Sequence, residues 1–411
     1  MKVIVIEDSA AINGGAAKVA ITAARGCAEA GLDVHFVAAC GPIATELQGV
    51  DRLKVTCLDQ QEIKNDPNRF RAVTKGIANS RAANAIRSIL READPDTVVH
   101  IHSFSKALSP LAVRAATQSG LPVVMSLHDY FTACPNGGFF NYQKNEICHL
   151  TPLSVSCMTC HCDSRSYPHK IWRVARALVQ KRVLDVPACV KNFIILSPLA
   201  RNVQTPFLPA DATLYPLDNP IDAQDLGRAP VEQNKPILFV GRFSREKGVE
   251  NLAKAIRDLG LPAVFVGDGH LRPEIEKMLP NAEFTGWLNS EGVISRIRSA
   301  RMVAFPSTWY EVQPLVPIEA AANGVPSIVS NCTAAADYIP HNERGLHFQF
   351  DSVESLKEQL VASRDDRSLE RMSQNAYSWY WSNPWTPQRH TRELMQIYEK
   401  MLNQRQVRAV L

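Results

Sequence analysis

Met302-Val303-Ala304-Phe305-Pro306-Ser307-Thr308-Trp309-Tyr310-Glu311 runs into Pro314-Leu315-Val316-Pro317-Ile318-Glu319-Ala320 and closes at Asn323-Gly324-Val325-Pro326. Met302 to Phe305 is short and wholly apolar, as a strand buried on both faces of a parallel sheet must be. Pro314 is predicted in the first turn of a helix, where its missing N–H costs nothing. Leu315, Ile318 and Ala322 then fall on one helical face. Gly324 stops the helix and Pro326 lies just past it. Strand, loop, helix and glycine stop make half of a βαβ unit, so the stretch predicts an α/β fold on a parallel sheet.

Two carboxylates bracket this turn. Eight residues separate Glu311 from Glu319, roughly 12 Å at a helical rise. That exceeds the 5–10 Å, roughly, at which two carboxyls act together on one sugar ring. It suits a longer ligand, with hydroxyls at both ends and an anion between them. The free N–H groups and dipole of the helix tip would face that anion. A sugar joined through a diphosphate to a ribose has this shape. The plainer alternative is a helix-tip Glu beside a solvated one.

Upstream, Pro236-Ile237-Leu238-Phe239-Val240-Gly241 reads as a strand with a glycine stop. Arg242 and Lys247 project from the loop that follows, Arg242-Phe243-Ser244-Arg245-Glu246-Lys247-Gly248. A fork-shaped cation and a point cation beside a helix start suit a diphosphate. Ala263–Val266, Gly267-Asp268-Gly269, Glu283-Phe284-Thr285 and Gly286-Trp287-Leu288 continue the alternation. The result is a doubly wound domain over residues 236–385.

The first half repeats the architecture over residues 1–222. Val3–Ile6, the turn Asn13-Gly14-Gly15, an Ala-rich helix and Val34–Ala38 form a βαβ unit. Gly14 and Gly15 allow close backbone approach of a ligand, but GxGxxG is absent, against a nicotinamide enzyme. One long helix is predicted from Asn68 to Glu92, then strand Val98–His102, helix Lys106–Ser119 and strand Pro122–Leu127. His128-Asp129 ends that strand, where open α/β sheets place ligand groups. His128 suits a hydroxyl contact or proton transfer, or a bond to backbone.

Cys134, Cys148, Cys157, Cys160 and Cys162 lie within 29 residues, in an insert at about 130–165. Cys157-x2-Cys160 has metal-ligand spacing, and Cys134 and Cys148 would complete a thiolate set. The expectation is a structural zinc that staples the insert. An iron–sulfur cluster would use the same ligands, and unrelated reduced thiols are the alternative. Arg165–Arg182 then carries six Lys/Arg and no acid. Its apolar side is expected to hold Ile171, Trp172, Ala175, Leu178 and Val179, fitting an anionic membrane or a phosphate-bearing acceptor. A packed helix with a solvated basic face is the alternative. The polar, Pro-containing stretch 223–235 reads as the linker. The final helix, about 386–411, is expected to pack back on the first domain.

At 411 residues with 45% apolar and 21% charged residues, the chain has the composition of a two- or three-domain globular protein. Net charge of +4 is no argument for nucleic acid. No apolar run is long enough to span a bilayer, and the N-terminus opens as a strand, unlike a signal peptide. The cysteines therefore point to a reducing cytoplasm, with peripheral contact at the inner membrane.

Taken in order, Gly241-Arg242-Phe243-Ser244-x-Glu246-Lys247-Gly248, Gly267-Asp268-Gly269, Thr285-Gly286-Trp287-Leu288 and Glu311-x7-Glu319-Ala-x-Ala-x-Gly324-x-Pro326 resemble glycosyltransferase family 4. The resemblance covers nearly the whole chain. It implies the GT-B fold and retaining transfer from a nucleotide-diphosphate sugar to a hydroxyl of a glycan or lipid-linked acceptor. Arg242 and Lys247 would bind the diphosphate, Glu311 the sugar hydroxyls, Glu319 the ribose, and Gly286-Trp287 the base. Gly14-Gly15 would approach the phosphate from the other domain, and His128 would lie near the transferred sugar. No catalytic metal is implied. Pro314 replaces a donor in the usual Glu-Gly-Phe-Gly, so Leu315 and Val316 would serve the phosphate. The Cys-rich insert, with His128-Asp129-Tyr130 ahead and Lys170-x-Trp172-Arg173 behind, resembles a bacterial surface-polysaccharide subset. A GT-B nucleotide-sugar epimerase and a non-catalytic scaffold of a glycan assembly complex are the competing readings.

Overall fold

The computed structural model describes residues 1–410; Leu411 lies outside the described residues. The first lobe has β1 (Lys2–Ser9), β2 (Asp33–Cys40), β3 (Leu53–Cys57), β4 (Thr97–Ile101), β5 (Val123–Ser126), the insert strands β6 (Phe140–Asn141) and β7 (Glu146–Ile147), β8 (Asn192–Ile195) and β9 (Thr213–Pro216). The second has β10 (Ile237–Val240), β11 (Ala263–Val266), β12 (Glu283–Gly286), β13 (Met302–Phe305), β14 (Ser327–Ser330) and β15 (Gly345–Phe348). The two large sheets run β3-β2-β1-β4-β5-β8-β9 and β12-β11-β10-β13-β14-β15. Their ladders are parallel. This is the α/β, GT-B architecture that the sequence implied. Each order reverses at one place, between β1 and β4 and between β10 and β13. Ligands of open α/β sheets bind outside the strand ends at such reversals. Topology alone therefore marks the loops after β1, β4, β10 and β13.

Three predicted elements differ. The helix expected over 68–92 is two, Arg69–Ile77 and Ser80–Arg91. Buried Asn79 makes the break: its side chain accepts from Ala82 N and donates to Gln60 Oε1 and Ala107 O. Short polar side chains compete with helical backbone in this way. The helix expected from Lys106 begins at Pro110, because the Asp8 carboxylate takes the N–H groups of Lys106, Ala107 and Leu108 at 2.8 Å each. Pro314 precedes the helix Leu315–Ala322 with ψ of 121°. Pro317 occupies the first turn, where no N–H is missed.

Between the lobes the chain crosses twice, once after β9 and again near Asn383. The second crossing leads into the final helix, Pro387–Val410. Leu394, Ile397, Tyr398 and Met401 of that helix belong to the first lobe's core. Gly26 lets it come close, since a Cβ there would fall 2.2 Å from Thr391 Oγ1. The crossings are tied together: Ile221 N donates to Trp385 O at 2.7 Å, and the His390 ring bonds Asp218 O at 2.8 Å. No helix among the described residues is long and apolar enough to cross a membrane.

Candidate active site

The loop after β10 must lie against the end of β13 for its cations to reach the cleft. Gly248 permits this. Its φ is 66°, and a Cβ there would stand 1.9 Å from Pro306 O. Thr308 N reaches Glu246 O at 2.9 Å across the same contact. Lys247 is thereby carried to Glu311.

Glu311 is bound on one oxygen only. Its Oε1 accepts from Lys247 Nζ at 2.5 Å, Trp309 Nε1 at 2.7 Å and Ser307 Oγ at 2.9 Å. No bond to Oε2 is found among the described residues. Burial pushes this carboxyl up, but the Lys247 charge and the three donors outweigh it and hold the group below its ordinary value. Glu311 is therefore a carboxylate near neutrality, with one lone-pair-bearing oxygen to offer. Lys247, read from sequence as a diphosphate contact, is committed here to Glu311. Arg242 is the freer cation: 61% exposed, with Nη2 3.5 Å from Glu246 Oε1.

Helix Leu315–Ala322 starts beside this pair, so Leu315 and Val316 present the first N–H groups at its tip. Glu319 is half-buried one turn on; burial pushes its carboxyl up against the pull of Lys18, on helix Gly15–Glu29 of the other lobe. Gly286 is left-handed at φ 73°, and Trp287 is 62% exposed at the β12 end. On the facing lobe, Gly14 and Gly15 open that helix; a Cβ on Gly15 would meet nothing within 4 Å. Backbone geometry thus makes no demand for glycine at Gly15, and only a close ligand would.

His128 follows β5. Its Nε2 lies 3.0 Å from His102 Nδ1. His102 packs against His100, ring centroids 3.9 Å apart and tilted by 31°. His100 is held by Tyr398 OH at 2.7 Å and Ser126 Oγ at 2.8 Å. Sequence reading missed this coupling. The signal was present in Val98-Val99-His100-Ile101-His102, whose alternation puts both rings on one sheet face.

The two lobes meet along the Glu311 loop. Ser197 Oγ donates to Val312 O at 2.5 Å, and Tyr338 OH to Leu196 O at 3.0 Å. Gln313, at a departure from the family pattern, accepts from Asn219 N and donates to Asp218 Oδ1. The insert also reaches this loop, with the Tyr130 and Tyr310 rings 6.5 Å apart.

Within the insert, Cys134, Cys148, Cys157 and Cys160 are not drawn into a ligand cage. Among the described residues no group of three or more His, Cys, Asp or Glu side chains is placed to hold a metal. A buried lysine enters the cluster instead. Lys170 is 1% exposed, and its Nζ meets Cys162 Sγ at 3.2 Å and Cys157 Sγ at 3.8 Å. Lys170 also corrects the expected apolar side of helix Tyr167–Leu178. The buried face carries Lys170, Val174 and Arg176, while Ile171 is 54% exposed. Arg176 is buried because its guanidinium lies over the Phe131 and Trp172 rings and donates to Ser105 O at 2.9 Å.

Two facing parallel-sheet lobes, with a carboxylate–ammonium pair at the second lobe's reversal and a helix tip beside it, define the two-lobed sugar-transferring enzymes. Two family models match the chain, "Glycosyl transferases group 1" over residues 224–379 and "Glycosyl transferase 4-like domain" over 14–148. The chain belongs to this glycosyltransferase family. It is 23% identical over 320 residues to the uncharacterized glycosyltransferase YqgM of Bacillus subtilis, covering 74% of this chain and 78% of that protein. It is 32% identical over 136 residues to a GDP-mannose-dependent alpha-mannosyltransferase of Corynebacterium glutamicum, covering 33% of this chain and 32% of that protein. Among solved structures, sucrose-phosphate synthase of Thermosynechococcus elongatus superposes with a TM-score of 0.71 at 16% identity, over 98% of this chain and 99% of that one. Anabaena HepE in complex with UDP superposes with a TM-score of 0.66 at 14% identity, over 97% of this chain and 100% of that one.

Proposed function

We propose that the protein transfers a hexose, with retention, from a nucleotide-diphosphate sugar to a hydroxyl of a glycan or lipid-linked acceptor in polysaccharide synthesis. The observation that carries this is Glu311, ionised, locked through one oxygen and open at the other. Oε2 would accept from a donor-sugar hydroxyl. Arg242 and the N–H groups of Leu315 and Val316 would meet the diphosphate, with Lys247 as the bridge between diphosphate and Glu311. Glu319 would take the ribose, Gly286-Trp287 the base, and Gly14-Gly15 the phosphate side of the facing lobe. The anomeric C–O bond to the diphosphate breaks as the acceptor oxygen bonds the same face, and the acceptor's proton passes to the leaving diphosphate. The Lys247 ammonium and a helix tip, fixed before reaction, would stabilise that leaving group with little reorganisation. A panel of UDP- and GDP-sugars tests this by thermal shift, because a ligand of the folded state alone raises its melting temperature. One donor should shift the parent and not Arg242→Ala, and its product should keep the anomeric configuration. No shift with any donor refutes the reading; an epimer with no glycoside makes the protein an epimerase.

The membrane reading rests on a surface wider than 165–182. Helix Arg69–Ile77 lies against helix Tyr167–Leu178. Phe70 is 81% exposed on the first, Ile171 54% on the second, and Val155 73% nearby in sequence. Arg69 on the first helix, and Arg165 and Lys181 flanking the second, supply positive charge, the combination that binds anionic bilayers.

For the insert the proposal remains a structural zinc. Among the described residues the buried Lys170 ammonium has only sulfur as its partner, and a charge so placed needs an opposite one. Thiolates on zinc would provide it, with Lys170 as the N–H donor to Cys157. Metal analysis of anaerobically purified protein, alongside Lys170→Met, decides this. Absence of metal leaves the contacts of the Lys170 ammonium with Cys162 and Cys157 sulfur as the staple.

A further inference from the structure

We propose that His102 is a positioning residue that keeps the proton of His128 on Nδ1, so that His128 meets a sugar oxygen as a hydrogen-bond donor and not as a base. This rests on the reading of His128 as a substrate-facing residue of a glycosyltransferase. The 3.0 Å contact between His102 Nδ1 and His128 Nε2 holds one proton when both rings are neutral. Burial keeps them neutral, pushing His102 well below the usual histidine range and His128 down to about 3.

Two arrangements are then open. If His128 donated, His102 would carry its proton on Nε2. That atom is buried without a partner among the described residues, and an orphaned buried N–H is the rarer, costlier defect. If His102 donates, Nε2 is a bare acceptor. Its neighbour does not oppose that state, and no bond joins the two. Ile6 pairs with Ile101 in the β1–β4 register, so Glu7 and His102 follow side by side at the strand ends. Burial and the adjacent Asp8 charge raise the Glu7 carboxyl to about 8, so near neutrality it is mostly an acid with a proton to give. Its Oε2 is likewise buried without a partner. His102 cannot turn freely, because its ring lies 3.9 Å from that of His100, whose two nitrogens are both engaged. The donating arrangement leaves Nδ1–H of His128 for the ligand; no bond to that nitrogen is found among the described residues.

Nitrogen-15 spectra of histidine-labelled full chain, assigned with His128→Gln, read the tautomer directly. A protonated Nδ1 and bare Nε2 on His128 are expected, and the reverse overturns the proposal. His102→Asn keeps a donor at the Nδ1 position and His102→Leu removes it. The Leu variant should lose about tenfold or more in kcat, and the Asn variant much less, with KM for the donor unchanged in both. Equal losses of melting temperature with kcat preserved in both would make His102 merely structural and also overturn it. If no nucleotide sugar is turned over, the functional reading fails while the spectra still decide the tautomer.

Discussion

Replacing Lys247 by methionine removes the ammonium bonded to Glu311 and leaves the Ser307 and Trp309 donors. The side chains of Lys247 and Glu311 are 19% and 13% exposed. Removing one partner of a buried ion pair costs about 3–5 kcal/mol. Two remaining hydrogen bonds of about 1 kcal/mol each and some solvent contact reduce this, to about 1–3 kcal/mol at pH 8. The pH dependence is the sharper test. In the parent, the Glu311 carboxyl lies below its ordinary value of 4.5. Its contribution is fully present above that pH and lost only as pH falls through the lower folded value. Without the ammonium, burial should lift the folded value above 4.5. The folded state then holds a proton that the unfolded chain releases, so stability declines as pH rises above 4.5, by about 1.4 kcal/mol per unit of displacement. Urea titrations followed by tryptophan fluorescence at pH 5.5 and pH 8 measure both effects. Lys247→Met should be nearer to the parent at pH 5.5. Adding Glu311→Gln should recover much of the pH 8 loss, because the stranded charge is gone. A single variant as stable as the parent at pH 8, or one whose deficit is the same at both pH values, would refute the argument.

Three further outcomes follow from the same geometry. Arg242→Ala should weaken binding of the nucleoside diphosphate product by about 1.5–3 kcal/mol, the worth of a charged hydrogen bond, and leave the melting temperature of the free protein nearly unchanged; calorimetry and thermal melts check the two halves. Gly248→Ala should cost more than the usual kilocalorie or so of a strained left-handed alanine, since the new Cβ would strike Pro306 O; a variant with parental stability by urea titration would contradict this. Phe70→Ser with Ile171→Ser should reduce sedimentation with vesicles containing anionic lipid, and leave turnover of a soluble acceptor intact.

Where the sequence was legible, local physics decided the outcome. Met302–Phe305 and Ile237–Val240 could be read as parallel strands because burial on both faces leaves an unbroken apolar run. Arg242 and Glu311 could be placed in the loops after their strands, and Glu319 inside the helix that follows, because glycine and proline mark where those elements stop and start. What stayed hidden depends on partners far away in the chain. Asn79 breaks a helix by bonding Ala107. Asp8 delays another by capturing three N–H groups almost a hundred residues on. The buried side of helix Tyr167–Leu178 was misjudged because its lysine and arginine find sulfur and aromatic rings inside, whereas periodicity assigns charged residues to solvent. Likewise, Lys247 could be placed near an anion, but not specifically on Glu311.

The doubled passage between the lobes limits how they can move. A single tether would permit swivelling in any direction. Two segments clasped by Ile221–Trp385 and Asp218–His390 act as a door hinge with two knuckles, leaving one easy axis of rotation. Loosening that clasp should therefore impair the timing and aim of every approach between the faces, even in a protein whose ligand-binding groups are untouched.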